Sequence, residues 1–204
     1  MLLSIREISS RTDSLLPAMM DVYQESFPLR EQLRVSWWLH FLQAKEEGKA
    51  PEQHLLAALE GDALVGFAYY ETRKEARCGY LWYLATSAER RSQGSGAWLY
   101  HEVAARIFGA ECDHLLFEVE LPDDAARFSA EEAEWAGRRI AWYRRQGARL
   151  LQGIEYVQSV GWQPPYPMGI MLAFQGELSP QQACKVAQSV LGDSVKEVAP
   201  LALY

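Results

Sequence analysis

The stretch RRSQGSGAWL, residues 90–99, decides how this chain is read. Two arginines, two glycines and small polar residues stand together and run directly into an apolar segment. A flexible linker uses the same letters, so the flanks must decide. Before it comes YLWYLAT (80–86), a bulky aromatic run with the composition of a buried strand. After it comes SGAWLYHEVAARIFGA (95–110), whose apolar positions recur at helical spacing. A strand that turns through glycines into a helix presents the unpaired N–H groups and positive dipole end of the helix start, and no Cβ obstructs an approaching anion. Arg90 and Arg91 add charged donors. The segment therefore reads as an anion cradle. It is spelled neither G-x-x-x-x-G-K-S/T nor G-x-G-x-x-G, which excludes two common phosphate loops.

Working outward, LLSIREI (2–8) alternates as a strand, and SLLPAMMDVYQESF (14–27) carries helical periodicity until Pro28 stops it. A second helix is expected over EQLRVSWWLHFLQAKEEG (31–48), ending at Gly48. HLLAALEGDALVGFAYYETR (54–73) reads as two strands around a Gly61-Asp62 turn, with CGYLWYLATSAE (78–89) as the third strand of a meander. Downstream of the cradle and its helix, HLLFEVEL (114–121) is a strand. A longer helix then opens on Ser129 with Glu132 three residues on, a capping-box signature. Strand, helix, strand, helix implies a parallel crossover. ARLLQGIEYVQSV (148–160) and PMGIMLAFQGEL (167–178) supply further strands, and Ser179-Pro-Gln-Gln opens a last helix. The expected class is α/β with an α+β mixed sheet: mostly antiparallel, one parallel crossover pair, helices on both faces. One domain is expected over 1–204, with 179–204 as a C-terminal helix and tail.

Composition narrows the partners. At 204 residues, 49% hydrophobic and 23% charged, the chain can bury a core of its own. A formal net charge of −7 argues against nucleic acid and anionic membranes, which are held by clustered Lys and Arg. Cys78, Cys112 and Cys184 form no C-x-x-C pair, and His40, His54, His101 and His114 share no ligand spacing, so no metal is expected. Arg6, Glu7 and Arg11 interrupt what a signal peptide would need, and no run of about 18 apolar residues occurs. A cytoplasmic protein is expected.

With strand and helix in place, Arg91-x-x-Gly94-x-Gly96 resembles the Q/R-x-x-G-x-G/A signature of the GNAT superfamily of acyl-CoA N-acyltransferases. The order of elements over nearly the whole chain is similar to that family's fold. The resemblance implies that Arg91, Ser92, Gln93, Gly94, Ser95, Gly96 and Ala97 bind the diphosphate of coenzyme A. It implies that Leu84, Ala85 and Thr86 bind the pantetheine arm through a strand edge, with acetyl-CoA as acyl donor. RRIAWYRRQGARLL (138–151) is similar to the family's F-Y-x-x-x-G-F/A segment and aligns Tyr143 with a tyrosine placed near the coenzyme sulfur. A phenol with a pKa near 10 is protonated at pH 7 and can donate to a departing thiolate. The chain departs from the family at Ala136, where many members carry a cofactor-touching asparagine, and at Tyr80, where some carry a strand glutamate that serves as base.

A base is still wanted, because deprotonating an alkylamine of pKa near 10.4 at pH 7 costs ~4 to 5 kcal/mol. In HLLFEVEL, Leu115, Phe117, Val119 and Leu121 alternate with Glu118 and Glu120, which places both carboxylates on one face. Glu118 is the choice of base. Glu120, together with Glu31 in QESFPLREQ (24–32), is the choice for binding the acceptor. The aromatics Trp37, Trp38, Phe41, Tyr69, Tyr70, Trp82 and Tyr83 are expected mostly in the core, with at most one of Tyr69 and Tyr70 facing any one site. The expected activity is transfer of acetyl from acetyl-CoA to a small-molecule or protein amine, by direct attack in a ternary complex. No G-x-S-x-G elbow or suitably placed cysteine suggests a covalent acyl-enzyme. An acyl-CoA-binding sensor that no longer catalyses, and a plain interaction domain, are the alternatives. A homodimer paired through the tail strands is left open.

Overall fold

The structure, a computed structural model, describes residues 2–127, 129–158 and 164–204. In chain order the elements are β1 (Leu3–Glu7), α1 (Leu16–Ser26), α2 (Val35–Glu46), β2 (Gln53–Glu60), β3 (Ala63–Arg73), β4 (Cys78–Thr86), α3 (Ser95–Gly109) and β5 (His114–Val119). There follow α4 (Pro122–Ala125), α5 (Ala130–Arg145), β6 (Arg149–Gln158), β7 (Tyr166–Pro167), β8 (Gly169–Phe174), α6 (Pro180–Leu191) and β9 (Val195–Leu203). The hydrogen-bonded strand order is β1-β2-β3-β4-β5-β8-β6-β7, with β9 also on β6. All these neighbours are antiparallel except β4 and β5, which are joined through α3 by the crossover that makes them parallel. The expected mixed sheet is therefore the observed one.

The chain divides into two compact units, Met1–Thr72 with Leu81–Arg106, and Arg73–Tyr80 with Ile107–Tyr204. In the first, β1 pairs with β2 from Leu3↔Glu60 to Glu7↔Leu56, and β2 pairs with β3 across the Gly61 turn. Period-two alternation sends Leu55, Ala57 and Leu59 of β2, with Phe67 and Tyr69 of β3, to the face covered by α1 and α2. There Tyr23, Trp38, Phe41, Tyr69 and Tyr83 pack together, edge to face at ring centroid distances of 5.0 Å for Tyr23 against Tyr83 and 5.1 Å for Phe41 against Tyr69, with Trp38 tilted against Tyr83 at 5.8 Å. These aromatics are core, as expected of most of them. Tyr70, one residue on, is buried on the opposite face against the His54 ring at 4.9 Å. Gly66 marks the closest backbone approach in this unit: a Cβ there would stand 2.5 Å from the Ala85 carbonyl oxygen.

In the second unit β5 pairs with β8 along its whole length, and β6 takes β8 at its start and β9 from Leu151 to Tyr156. Gly153 at φ +83° lets β9 bulge inward, where a Cβ would meet the Pro200 and Ala199 carbonyls. Ser129 caps α5 by accepting from the Glu132 N–H at 3.0 Å, and Ser179 with Gln182 forms a complete capping box on α6. The structure corrects the tail: residues 195–203 form β9 on β6 rather than a simple tail after the helix. It also starts α2 at Val35, because residues 29–31 close a tight 3₁₀ turn after Pro28.

Candidate active site

In the first unit β4 delivers Leu84, Ala85 and Thr86 to the turn, with Ala85 buried and its two neighbours half-buried. The Ser87 N–H is held by the Val65 carbonyl at 3.0 Å. A short 3₁₀ turn, residues 88–90, follows, and Arg90 is paired with Glu60 at 2.7 Å. Arg91, Ser92, Gln93 and Gly94 are exposed, and the backbone takes positive φ at Ser92 (62°) and Gly94 (86°). That reversal aims the chain into α3, where the Ser95 hydroxyl closes back on the Arg90 carbonyl at 3.1 Å. The first bond of α3 runs from Trp98 N–H to Gly94 O, which leaves the amides of Ser95, Gly96 and Ala97 as the start-of-helix donors that no intrahelical acceptor satisfies. Exposed Arg91, these helix-start amides and the dipole end together make a place where an anion would be stabilised. Arg90 belongs to an ion pair instead.

Glu31 lies in the same unit, in the connection between α1 and α2. The Tyr83 hydroxyl donates to the Glu31 carbonyl at 2.6 Å, and the Leu33 N–H donates to the Tyr23 hydroxyl at 2.6 Å. Two buried phenols thus peg residues 31 and 33, and the half-buried Glu31 carboxylate lies 3.7 Å from Arg30.

The second unit holds the other named residues. Tyr143 of α5 is buried with its ring 4.3 Å from that of Phe117 on β5, and burial pushes its phenol up to about 12. It stays protonated at any working pH. Because Phe117 faces α5, Glu118 faces the other side of β5. There its carboxylate accepts from three donors: the Tyr80 hydroxyl of β4, the Tyr156 hydroxyl of β6 at 2.6 Å, and the Gln158 amide. Burial raises the Glu118 pKa, and the three hydrogen bonds work against that rise. Glu120 does not share this cluster. β5 ends at Val119, so strand alternation no longer governs residue 120, and its buried carboxylate pairs with Arg139 of α5 at 3.1 Å. The sequence singled out Glu118 and Tyr80 but not Tyr156, Gln158 or Arg139, which no local spacing connects to them.

The chain matches the acetyltransferase (GNAT) family over residues 13–135. It belongs to that family. A solved protein described as an acetyltransferase of the GNAT family from Bacteroides thetaiotaomicron superposes with a TM-score of 0.70 at 21% identity, over 93% of this chain and 98% of that one. A Bacillus subtilis acetyltransferase in complex with CoA gives 0.56 at 12% identity, over 86% and 100%. An aminoglycoside 6'-N-acetyltransferase complexed with coenzyme A gives 0.57 at 17% identity, over 86% and 99%. These likenesses share the fold with the present chain. No curated protein matches its sequence. Family membership supports acyl transfer as the general chemistry of this GNAT protein. Among the described residues no group of three His, Cys, Asp or Glu side chains gathers as metal ligands, and no described helix is long and apolar enough to cross a membrane.

Proposed function

We propose that this GNAT protein transfers an acetyl group from acetyl-CoA to the amine of a small molecule or protein, by direct attack in a ternary complex. The observation that carries the reading is the exposed Arg91–Gly94 turn opening directly onto the helix-start amides of Ser95, Gly96 and Ala97, in a chain of this family. In this reading residues 91–97 take the diphosphate and the backbone of Leu84, Ala85 and Thr86 takes the pantetheine. Tyr143 donates to the thiolate as the carbon–sulfur bond breaks, a role suited to a phenol that burial keeps protonated. Glu118 receives the amine's proton, and burial favours that by making its carboxylate more basic. Glu31 offers a carboxylate to a cationic acceptor. Glu120 would serve such an acceptor only by exchanging Arg139 for it.

The test is a panel of amines with acetyl-CoA, followed by release of free thiol. Tyr143→Phe keeps the Phe117 contact and removes the donor. The expected outcome is unchanged acetyl-CoA affinity with kcat lower by about 100-fold, within the range of acid–base contributions. An unchanged kcat removes Tyr143 from the chemistry. Acetyl-CoA binding with no turnover on any amine favours the sensor reading, to which Tyr80 in place of a strand carboxylate lends some support.

A further inference from the structure

We propose that Tyr80 and Tyr156 are positioning residues for Glu118: by occupying Oε1 together they leave Oε2 as the oxygen that takes up a proton, an inference that rests on the acetyl-transfer reading. An ionised carboxylate offers about four lone-pair sites, two on each oxygen. Oε1 accepts from the hydroxyls of both phenols, one anchored on β4 and the other on β6, so its two sites are filled. Among the described residues Oε2 accepts from the Gln158 amide alone, and one of its sites stays open. The glutamate is itself half-buried, against 3% exposure for Tyr80 and 7% for Tyr156, so solvent reaches Glu118 more readily than it reaches the groups that hold Oε1.

The two oxygens respond differently to a proton. On Oε2 it uses the open site, both phenols go on donating to Oε1, and the Gln158 amide keeps the second Oε2 lone pair. On Oε1 it competes with a phenol for a lone pair, and the displaced hydroxyl is left inside the protein without its acceptor, which is unfavourable for a buried polar group. Donors anchored on two different strands also hold the carboxyl plane against rotation about Cγ–Cδ, so the two oxygens do not exchange places. The groups facing Glu118 are Tyr80 from β4, with the Arg73 guanidinium 5.6 Å from its ring centre, and Tyr156 and Gln158 from β6. Arg73 is bonded to the Val190 carbonyl, Glu120 is engaged with Arg139, and β8 pairs the uncharged Ile170 with Glu118.

In the step itself, the neutral amine's lone pair forms the carbon–nitrogen bond, the carbon–sulfur pair leaves on sulfur as a thiolate, and the amine's N–H proton ends on Glu118 Oε2. The products are an amide, a thiolate and a glutamic acid. Tyr80 and Tyr156 keep their protons, which suits phenols that burial and the neighbouring carboxylate hold well above 10. Their hydrogen bonds favour the charged carboxylate, against the burial that favours the acid, so losing either phenol makes Glu118 take up its proton at higher pH.

The experiment compares Tyr80→Phe, Tyr156→Phe, the double variant and Glu118→Gln with the wild type. Two readouts are followed against pH: kcat at saturating amine and acetyl-CoA, and the infrared band of the protonated Glu118 carboxyl, assigned by its loss in Glu118→Gln. Thermal protection by acetyl-CoA checks folding. Glu118→Gln should lower kcat by about 100-fold and abolish the acid limb. Each single phenylalanine variant should move the acid limb and the infrared titration together to higher pH, with the plateau kcat down by about threefold. The double variant should move both further and lose about 100-fold on the plateau, beyond the roughly tenfold of two independent losses, because no donor then holds Oε1. Phenols that merely pack leave both titrations where they are, and that result overturns the proposal. So does a double variant no slower than the product of the singles, or a Glu118→Gln protein with wild-type kcat. Should one phenylalanine variant fail to fold, the other decides alone: displaced titrations support the positioning role, and unmoved ones overturn it. A wild type that acetylates no amine overturns acetyl transfer and the positioning role together, whereas an active wild type whose phenylalanine variants keep its acid limb overturns the positioning role only.

Discussion

Substituting alanine for Gly66 tests the strand geometry behind the proposed pantetheine site. Gly66 has ordinary backbone angles, so alanine would by itself stabilise the fold by about 0.4–1 kcal/mol through the unfolded chain. Space decides otherwise. The new Cβ would stand 2.5 Å from the Ala85 carbonyl oxygen and 3.2 Å from the Thr86 Cα, both backbone atoms with no rotamer to change. Relief requires β3 and β4 to part by about half an ångström or more, and overpacking of this kind costs about 1–3 kcal/mol. For a chain of this length that corresponds to a fall in Tm of roughly 2–12 °C. Gly137 is the control. It lies inside α5, where a Cβ meets only Pro122 Cγ at an ordinary 3.8 Å, so Gly137→Ala gains helix propensity and stabilises by about 0.5–1 kcal/mol. Because the atom struck in Gly66→Ala belongs to Ala85, that variant should also weaken acetyl-CoA binding, and Gly137→Ala should not. Scanning calorimetry with acetyl-CoA titration measures both. A Gly66→Ala protein with wild-type Tm and wild-type affinity refutes the reasoning.

Two further outcomes follow from charge. The His54 imidazole, and then Lys45, hold the Glu7 carboxyl down to about 2 against an ordinary value near 4.5, so its contribution is full above pH 4.5 and lost as pH falls from there toward 2. Glu7→Gln should therefore lower Tm at pH 5, with the margin closing as the pH falls from 4.5 toward 2. The partly exposed site keeps the effect below about 1 kcal/mol. Arg139→Ala strips the buried Glu120 of its ion-pair partner and should cost about 1–3 kcal/mol, read as a lower urea midpoint with unchanged slope.

Local rules account for what was legible in the sequence. The strand-turn-helix around Gly94 and Gly96 is written within about 20 consecutive residues, as are the caps at Ser129 and Ser179 and the turn at Gly61. Strand β9 was not legible, because residues 195–203 alternate poorly and owe their extended form to pairing with β6, some 45 residues earlier in the chain. The early start assigned to α2 missed a tertiary constraint of the same kind: Tyr83 and Tyr23 peg residues 31 and 33 in place before the helix can begin.

Glu118 in β5 and Glu120 just beyond it differ in ways that local reasoning does not reach. Alternation put Glu118 and Glu120 on one face, which would make them interchangeable as bases or as amine ligands. A single fact parts them, the end of the strand at Val119. Beyond it Glu120 meets a cation that satisfies its charge, whereas Glu118 meets neutral donors that hydrogen-bond its charge without cancelling it. Desolvation without a neutralising cation raises the Glu118 pKa and makes it a better proton acceptor than an ordinary carboxylate. Those partners stand 38 residues to either side of Glu118, at Tyr80 and Tyr156, so its chemistry is fixed by the topology that brings β4, β5 and β6 together.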